Sequence, residues 1–422
     1  MDHFNYKNGK LFAEDVEVSK LAAEFGTPLY IYSAATLKHH YNVMAESFKG
    51  LDALICFAVK SNSNFAVIKT LASLGAGADV VSEGEIRRAL LCGVPANKII
   101  FSGIGKTAEE MEFALSSGIL QFNVESEPEL ELLSKVASKL GKTAEIAIRV
   151  NPDVDAATHG KITTGLKTSK FGIDINLGVA MFRKARSLPG IKAASVSVHI
   201  GSQITDLTPF EKAFIRVREF LKELEADGTV LERVDLGGGL GIPYEIGKNP
   251  PHPSAYGEMV KKVFAAEAKK YRFIFEPGRV LVGNAGILVS KVIYVKPTEQ
   301  REFLIVDAAM NDLIRPSFYS AHHDIIPVDE KKIGNAKYDI VGPVCETGDT
   351  FAELRPMPTL EQEDLIAFRS SGAYGAVMAS TYNSRKIVAE VMVNGSEYAL
   401  TSRRQSYEEM FEREVIPGWL KN

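Results

Sequence analysis

The chain is 422 residues long, 45% hydrophobic and 24% charged, with a formal net charge of −4 at pH 7. That length exceeds one ordinary core and predicts two domains; the acidic balance and the lack of a basic tract argue against nucleic acid as the main partner, and no apolar run approaches the ~18 residues of a membrane span. The start, Met1-Asp2-His3-Phe4-Asn5-Tyr6-Lys7, lacks the charged-then-apolar form of a signal peptide, and Cys56, Cys92 and Cys345 have neither paired nor metal-like spacing, so a reducing cytoplasm is expected.

Residues 1–26 read as a short strand and a helix. From about 30 to 280, strand and helix patterns alternate. Strand-like runs fall at 53–60, 77–81, 98–102, 119–124, 144–150, 192–199, 231–236 and 271–276. Thr107 with Glu110, and Ser126 with Glu129, each read as a capping box at a helix start. Eight strands alternating with helices over ~250 residues is the size of a (β/α)8 TIM-type barrel, expected over residues 27–280. An open doubly wound sheet is the alternative. After Arg279 the texture changes. Val280–Pro297, Glu302–Asp307, Lys337–Val341, Asp364–Phe368, Ile387–Val393 and Glu397–Thr401 read as strands, with helical periodicity only at about 403–416. This predicts a mostly β second domain over residues 281–422, with residues 1–26 expected to join it.

A barrel collects its chemistry at the C-terminal ends of its strands. The polar residues there are Lys60; Asp79 and Ser82; Asn123; Arg149 and Asn151; His199 and Ser202; Asp235; and Glu276 with Arg279. Lys60 ends the apolar run Leu54-Ile55-Cys56-Phe57-Ala58-Val59. A lysine there is costly unless its ammonium is paired or its pKa falls, and burial can lower that pKa by ~3–5 units. The freed amine would suit Schiff-base chemistry; the plainer reading is a lysine that snorkels to water. Cys56 and Cys92 sit in apolar patterns and read as core.

Gly237-Gly238-Gly239-Leu240-Gly241 follows a strand and reads as an anion nest or a tight turn. It is not the dinucleotide fingerprint, because Ile242 stands where a third glycine is needed. Glu276-Pro277-Gly278-Arg279 offers a carboxylate for a heterocyclic nitrogen and a planar fork for an anion, or else a structural ion pair. His199 and Ser202 could pack on a planar cofactor and donate to a phosphate, or form a hydrogen-bonded rim. Thr163-Thr164-Gly165 and Lys170-Phe171-Gly172 read as mouth residues or as turns. Arg315 with Tyr319 reads as a carboxylate clamp or as interface packing. Cys345-Glu346, in a Gly/Pro-bounded loop, sets a thiol beside a carboxylate; such a thiol can donate a proton to a carbanion. Gly372-Ala373-Tyr374-Gly375 aims a tyrosine at a ligand or makes a turn. His159 and the exposed-looking His322-His323 pair show no zinc spacing with third ligands, so no metal is expected.

A Schiff-base lysine, a phosphate nest, a ring-nitrogen carboxylate and a ring-stacking histidine are the parts that hold pyridoxal 5'-phosphate. From about residue 10 to the C-terminus the chain resembles the diaminopimelate decarboxylase family, within the alanine-racemase-like (type III) pyridoxal-phosphate enzymes. The motifs that carry the resemblance are Phe57–Asn62, His199–Gln203, Gly237–Gly241, Glu276–Arg279, Cys345-Glu346 and Gly372–Gly375. Ser61 departs from it, alanine being common there.

The resemblance implies that Lys60 is the covalent anchor and that His199 stacks on the cofactor ring. Ser202, Gly238, Gly239, Glu276, Pro277, Gly278, Arg279 and Tyr374 would bind the cofactor. Arg279, Arg315, Tyr319, Glu346 and Tyr374 would face the substrate. It also implies a homodimer with shared active sites, in which Cys345 and Glu346 serve the neighbouring subunit's Lys60 and Cys345 protonates the reacting carbon. Meso-2,6-diaminopimelate, with an ammonium and a carboxylate at its far end, suits this mixture of arginines and Glu346; the products would be L-lysine and carbon dioxide. Another type III enzyme, an ornithine or arginine decarboxylase or an amino-acid racemase, is the alternative, and a non-catalytic cofactor carrier is a third.

Overall fold

The computed structural model describes residues 2–155, 170–245, 247–330 and 333–420. His159 and Thr163-Thr164-Gly165 lie outside the described residues. The chain divides into two compact units. One comprises Leu37–Pro243 and Gly247–Gly283; the other comprises Met1–Thr36, Tyr244–Ile246 and Asn284–Asn422.

The first unit is a closed barrel. Its parallel strands are Ala53–Ala58, Gly77–Val80, Ile99–Phe101, Gln121–Val124, Ala144–Asn151, Ile191–Ser197, Arg233–Asp235 and Arg272–Phe275. Each pairs with the next, and the eighth returns to the first with Phe273 opposite Ala53. Closure excludes the open doubly wound sheet. It also leaves no edge among the eight strands that could template another chain. Inside, Leu54, Cys56, Ile100 and Ile274 form an apolar layer.

The helices that return the chain start where short polar side chains satisfy the free N–H groups of the first turn. Asn64 accepts from Ala66 N–H and Ser82 from Glu85 N–H. Thr107 and Glu110 form the expected reciprocal capping box. The second expected box is only half formed. Ser126 accepts from Glu129 N–H, but the Glu129 carboxylate is diverted to Glu125 N–H at 2.8 Å and to buried Lys106 at 2.6 Å. A tertiary ion pair outcompetes the local cap.

The second unit is mostly β. Its main sheet runs Thr350–Met357, Ala336–Val341, Glu302–Val306, Gly286–Pro297, Leu29–Ser33, Ala389–Asn394, Glu397–Ser402. Leu365–Phe368 also pairs with Gly286–Pro297, and Ile325–Pro327 adds outside it. Leu29–Ser33 falls inside the range expected for the barrel, yet it lies between two strands of this sheet, opposite Val289 and Ala389. All five of its residues are buried, as a central strand requires. The core here is built from Leu11, Val16, Leu21, Leu29, Ile31, Ile287, Val289 and Val391.

Three local expectations change. Residues 4–17 form three short strands rather than one. Arg279–Val282 is a helical turn rather than the start of the long strand, consistent with glycines at 278 and 283 breaking the extended run. The expected 403–416 helix shrinks to Tyr407–Phe411, headed by a Ser406–Glu409 capping box.

Candidate active site

The first barrel strand stops at Ala58, two residues short of Lys60. Val59–Ser61 is a tight 3-10 turn, fastened where Ser61 Oγ donates to Ala58 O at 2.7 Å. A Cβ on Gly278 would come within 3.0 Å of Ser61 Oγ, so this serine and that glycine pack against each other. The turn delivers the Lys60 ammonium to Asp79 Oδ2 at 2.9 Å. The Lys60 side chain is 39% exposed and that of Asp79 is 0% exposed. The cost of a lysine at this strand end is therefore met by pairing. The other Asp79 oxygen, Oδ1, is buried without a hydrogen-bond partner.

His199 follows the sixth strand. Its Nδ1 accepts from Gly238 N–H at 3.3 Å, which leaves the ring proton on Nε2. Burial, then the Arg149 and Lys60 charges, hold its pKa well below the usual histidine value, so the ring is neutral. Arg149 is itself paired with buried Glu125 at 3.0 Å.

The glycine run allows close approach. Gly237 sits at φ +64 and Gly239 at φ +117, and a Cβ on Gly238 would come within 2.2 Å of Glu276 O. The N–H of Gly237 is taken by Asp235 Oδ1 at 2.9 Å and that of Gly238 by His199. Gly241 N–H is taken as well, by Ile204 O at 3.0 Å, so among the glycines of the run Gly239 is the one whose N–H could meet an anion. Arg279, 7% exposed, donates from Nη2 to Ser202 Oγ at 3.1 Å.

Glu276 stands just past the eighth strand with its carboxylate buried. Burial, then the Asp235 and Asp79 charges, push its pKa well above the carboxylate range. Burial also pushes Asp235 up, to about 6. Asn123 Nδ2 donates to both acids, at 3.1 Å to Glu276 Oε1 and 3.2 Å to Asp235 Oδ2. Lys60, His199, Ser202, Gly237–Gly239, Glu276 and Arg279 thus gather at one end of the barrel.

In the β unit, Arg315 begins the short helix Arg315–Tyr319 and is 5% exposed. Its Nη1 donates to His323 Nε2 at 2.7 Å, and its guanidinium lies 4.5 Å from the Tyr244 ring centre. His323 donates from Nδ1 to Arg369 O at 2.8 Å, which fixes its neutral tautomer. The expectation of an exposed histidine pair is corrected: His323 is 1% exposed, because its ring is the brace behind Arg315. Tyr319 is half-buried, edge-to-face with Phe318.

Cys345 and Glu346 are both exposed. Their loop is pinned by buried Asp349, which accepts from Val344 N–H at 2.8 Å and Met310 N–H at 2.6 Å. Tyr382 donates to Glu346 Oε2 at 2.8 Å. Tyr374 sits at φ +56, a left-handed conformation that side-chain-bearing residues rarely adopt. Gly375 beside it is crowded, since a Cβ there would come within 2.8 Å of Tyr30 Oη.

The sequence marks Asp79, Asn123, Arg149 and Asp235 only as polar strand ends; their pairing with Lys60 and Glu276 and their placement about His199 emerge in three dimensions. Tyr244 and His323, the supports of Arg315, carry no sequence signal. Among the described residues no group of three or more His, Cys, Asp or Glu is arranged to hold a metal, and no helix is long and apolar enough to cross a membrane.

Residues 34–283 match the family model described as the pyridoxal-dependent decarboxylase, pyridoxal binding domain. The chain is 49% identical to a diaminopimelate decarboxylase of Zymomonas mobilis over 421 residues, covering 99% of both chains. It is 47% identical to that of Vibrio cholerae over 420 residues, again covering 99% of both. A solved diaminopimelate decarboxylase from M. jannaschii in complex with L-lysine superposes with a TM-score of 0.95 at 38% identity, covering 100% of this chain and 99% of that one. With these likenesses spanning almost its whole length, the chain belongs to the diaminopimelate decarboxylase family of pyridoxal-dependent decarboxylases.

Proposed function

We propose that this chain is a carboxy-lyase that decarboxylates meso-2,6-diaminopimelate to L-lysine and carbon dioxide, the last step of lysine biosynthesis, with pyridoxal 5'-phosphate as cofactor. The observation that carries the reading is the barrel mouth. A lysine paired with a buried carboxylate shares it with a neutral histidine, a glycine loop and a second buried carboxylate, in a chain whose full-length relatives bear that name.

The residues fit the cofactor. Gly239, Ser202 and Arg279 would hold its phosphate, with Pro277 and Gly278 shaping the approach and Tyr374 also binding it. Glu276 would partner the ring nitrogen and hold a proton there. His199, neutral, would pack on the ring without placing a positive charge against it. Lys60 is the covalent anchor, kept at the mouth by Asp79. Bound pyridoxal phosphate supplies an electron sink for the pair left behind by carbon dioxide.

The remaining roles fall to the β unit. Arg315, stiffened by His323 and Tyr244, is assigned to a substrate carboxylate, as is Arg279 of the barrel unit. Glu346 meets the distal ammonium, Tyr319 and Tyr374 line the substrate, and Cys345 delivers the proton that replaces the lost carboxylate. A buried guanidinium favours a substrate that brings a carboxylate to it, which argues for diaminopimelate over ornithine. In this reading the barrel unit binds the cofactor and the β unit supplies substrate and dimer residues.

The assembly is a cytoplasmic homodimer with shared sites. The exposed Cys345-Glu346 loop supports this. So does the apolar C-terminal segment, where Val415 and Trp419 are 82% and 86% exposed in the single chain; such patches mark protein contacts.

The test is lysine formation from meso-diaminopimelate with and without pyridoxal phosphate, beside L-ornithine and L-arginine. Cofactor-dependent lysine from diaminopimelate alone is expected. Comparable turnover of ornithine or arginine would overturn the substrate assignment, and an epimerised substrate without carbon dioxide would make the chain a racemase. For the shared site, mixing Lys60→Ala with Cys345→Ala protein should restore up to about a quarter of wild-type activity, as random exchange between two-fold dimers predicts. No restoration after verified subunit exchange would place both residues in one chain's site.

A further inference from the structure

We propose that Asn123 is a positioning residue for Glu276, and that its orientation is dictated from the opposite end of the barrel by Arg233 acting through Gln121. The inference rests on the reading above, since Glu276 matters there as the partner of the cofactor's ring nitrogen.

The geometry is a directed file of hydrogen bonds within the barrel. Gln121 and Asn123 are two apart on the fourth strand, and Arg233 and Asp235 two apart on the seventh. Each pair therefore shares a face, and their hydrogen bonds meet inside the barrel. A guanidinium carries only donors. Arg233 Nε donates to Gln121 Oε1 at 3.2 Å, which turns the Gln121 amide nitrogen the other way. Gln121 Nε2 then donates to Asn123 Oδ1 at 2.8 Å. With its oxygen engaged, Asn123 directs Nδ2 at Glu276 Oε1 and Asp235 Oδ2, at 3.1 and 3.2 Å, and at Ser102 Oγ, at 3.1 Å.

A flipped Asn123 would fail at both ends. Its oxygen would face two carboxylates, and its nitrogen would face the Gln121 nitrogen. Arg233 cannot relax to permit the flip, because Glu145 at 2.5 Å and Glu232 at 3.3 Å anchor it. Gln121 and Asp235 are 0% exposed and Asn123 is 2% exposed, so water does not readily substitute for a missing link.

The consequence is electrostatic. Burial, Asp235 and Asp79 all press Glu276 to take up a proton, and Lys60 opposes them. Glu276 can hold a proton on a ring nitrogen only while it stays charged itself. A hydrogen bond donated to the charged form favours that form. Losing Asn123 Nδ2 should move the balance of the shared proton toward Glu276 by about one to two pKa units, the worth of a hydrogen bond to a charged group.

The experiment loads Asn123→Ala and Gln121→Leu proteins with pyridoxal phosphate labelled with nitrogen-15 in the ring, and reads the ring-nitrogen chemical shift. Both variants should move toward the unprotonated value at the same pH, and kcat should fall roughly 10–100-fold, matching that pKa change, with KM within about threefold. Wild-type shifts in both variants would overturn the proposal, whatever happens to kcat. A shift in Asn123→Ala with none in Gln121→Leu would overturn the relay from Arg233. If Asn123→Ala fails to fold, Gln121→Leu decides alone, since it removes the orienting link and leaves the Asn123 amide itself in place. Failure of the functional reading looks different: the wild-type chain itself would bind no labelled cofactor.

Discussion

The barrel and the β unit hold their candidate residues in opposite ways. At the barrel mouth each reactive side chain has a hydrogen-bond partner: Lys60 has Asp79, His199 the Gly238 N–H, Arg279 Ser202 and Glu276 Asn123. Two of these partners, Asp79 and Asn123, are buried and the other two are half-buried, so much of the geometry and charge is fixed before any ligand arrives. In the β unit Arg315 is held that way, by buried His323 and by Tyr244, while Glu346 is tied to Tyr382 at the surface. Cys345 and Glu346 ride an exposed loop whose anchor, Asp349, is buried but whose tip is not. The difference teaches a division of labour. A cofactor that stays bound calls for a preorganised cradle; a substrate that must enter and leave is met by groups nearer the surface.

Substitutions can break that comparison. The largest effect is expected at Lys60. Lys60→Ala should lower kcat by about 10⁴-fold or more, as removal of a nucleophile does, and abolish the borohydride-trapped adduct expected of the wild type. An adduct that persists elsewhere in the chain would remove Lys60 as anchor. Next comes Cys345→Ala, which should lower kcat by roughly 10²–10⁴-fold, the range for a lost proton donor. Cofactor affinity should stay within about twofold, because nothing in the cradle depends on this thiol. Parallel loss of both would erase the distinction between the two regions.

A smaller effect is expected from Arg315→Ala. KM for diaminopimelate should rise about 10–100-fold, the worth of a charge-assisted hydrogen bond, with the cofactor absorbance unchanged. An unaltered KM would take Arg315 out of the site. The smallest prediction concerns the burial of acids around the barrel mouth. Glu85, raised to about 7 chiefly by burial, keeps its proton in the folded state after the unfolded chain has lost it. The contribution of Glu85 to wild-type stability should therefore decline as pH rises from about 4.5 to about 7 and level off above. Glu85→Gln lacks this penalty, so its advantage should grow over that window to about 1 kcal/mol after screening. Urea unfolding at pH 5 and pH 8 measures the difference, and a constant gap between the two proteins would refute it.

How much was legible beforehand varies with the kind of signal. The eight barrel strands stand where the apolar runs place them, to within about two residues at most ends, because a buried parallel strand is a local apolar pattern. Leu29–Ser33 misled for the same reason. Its pattern says buried strand, but not which sheet it enters. Ser126 and Glu129 have the spacing of a capping box, yet Lys106 captures the glutamate's charge. His323 looked like half of an exposed pair, and only its bonds to Arg315 and Arg369 O explain a buried histidine there.

The sequence by itself determined where the eight barrel strands fall and the presence of lysine, histidine, glycines and carboxylate at strand ends. Both follow from patterns only a few residues long. The tertiary structure decided which of those polar ends act on one another. Asn123 and Glu276 are 153 residues apart in the chain and 3.1 Å apart in space. Barrel closure, which brings the eighth strand beside the first and lets its end face the fourth across the barrel, creates that contact. No local pattern encodes it, because a hydrogen bond's cost and worth are set by the burial that the whole barrel supplies.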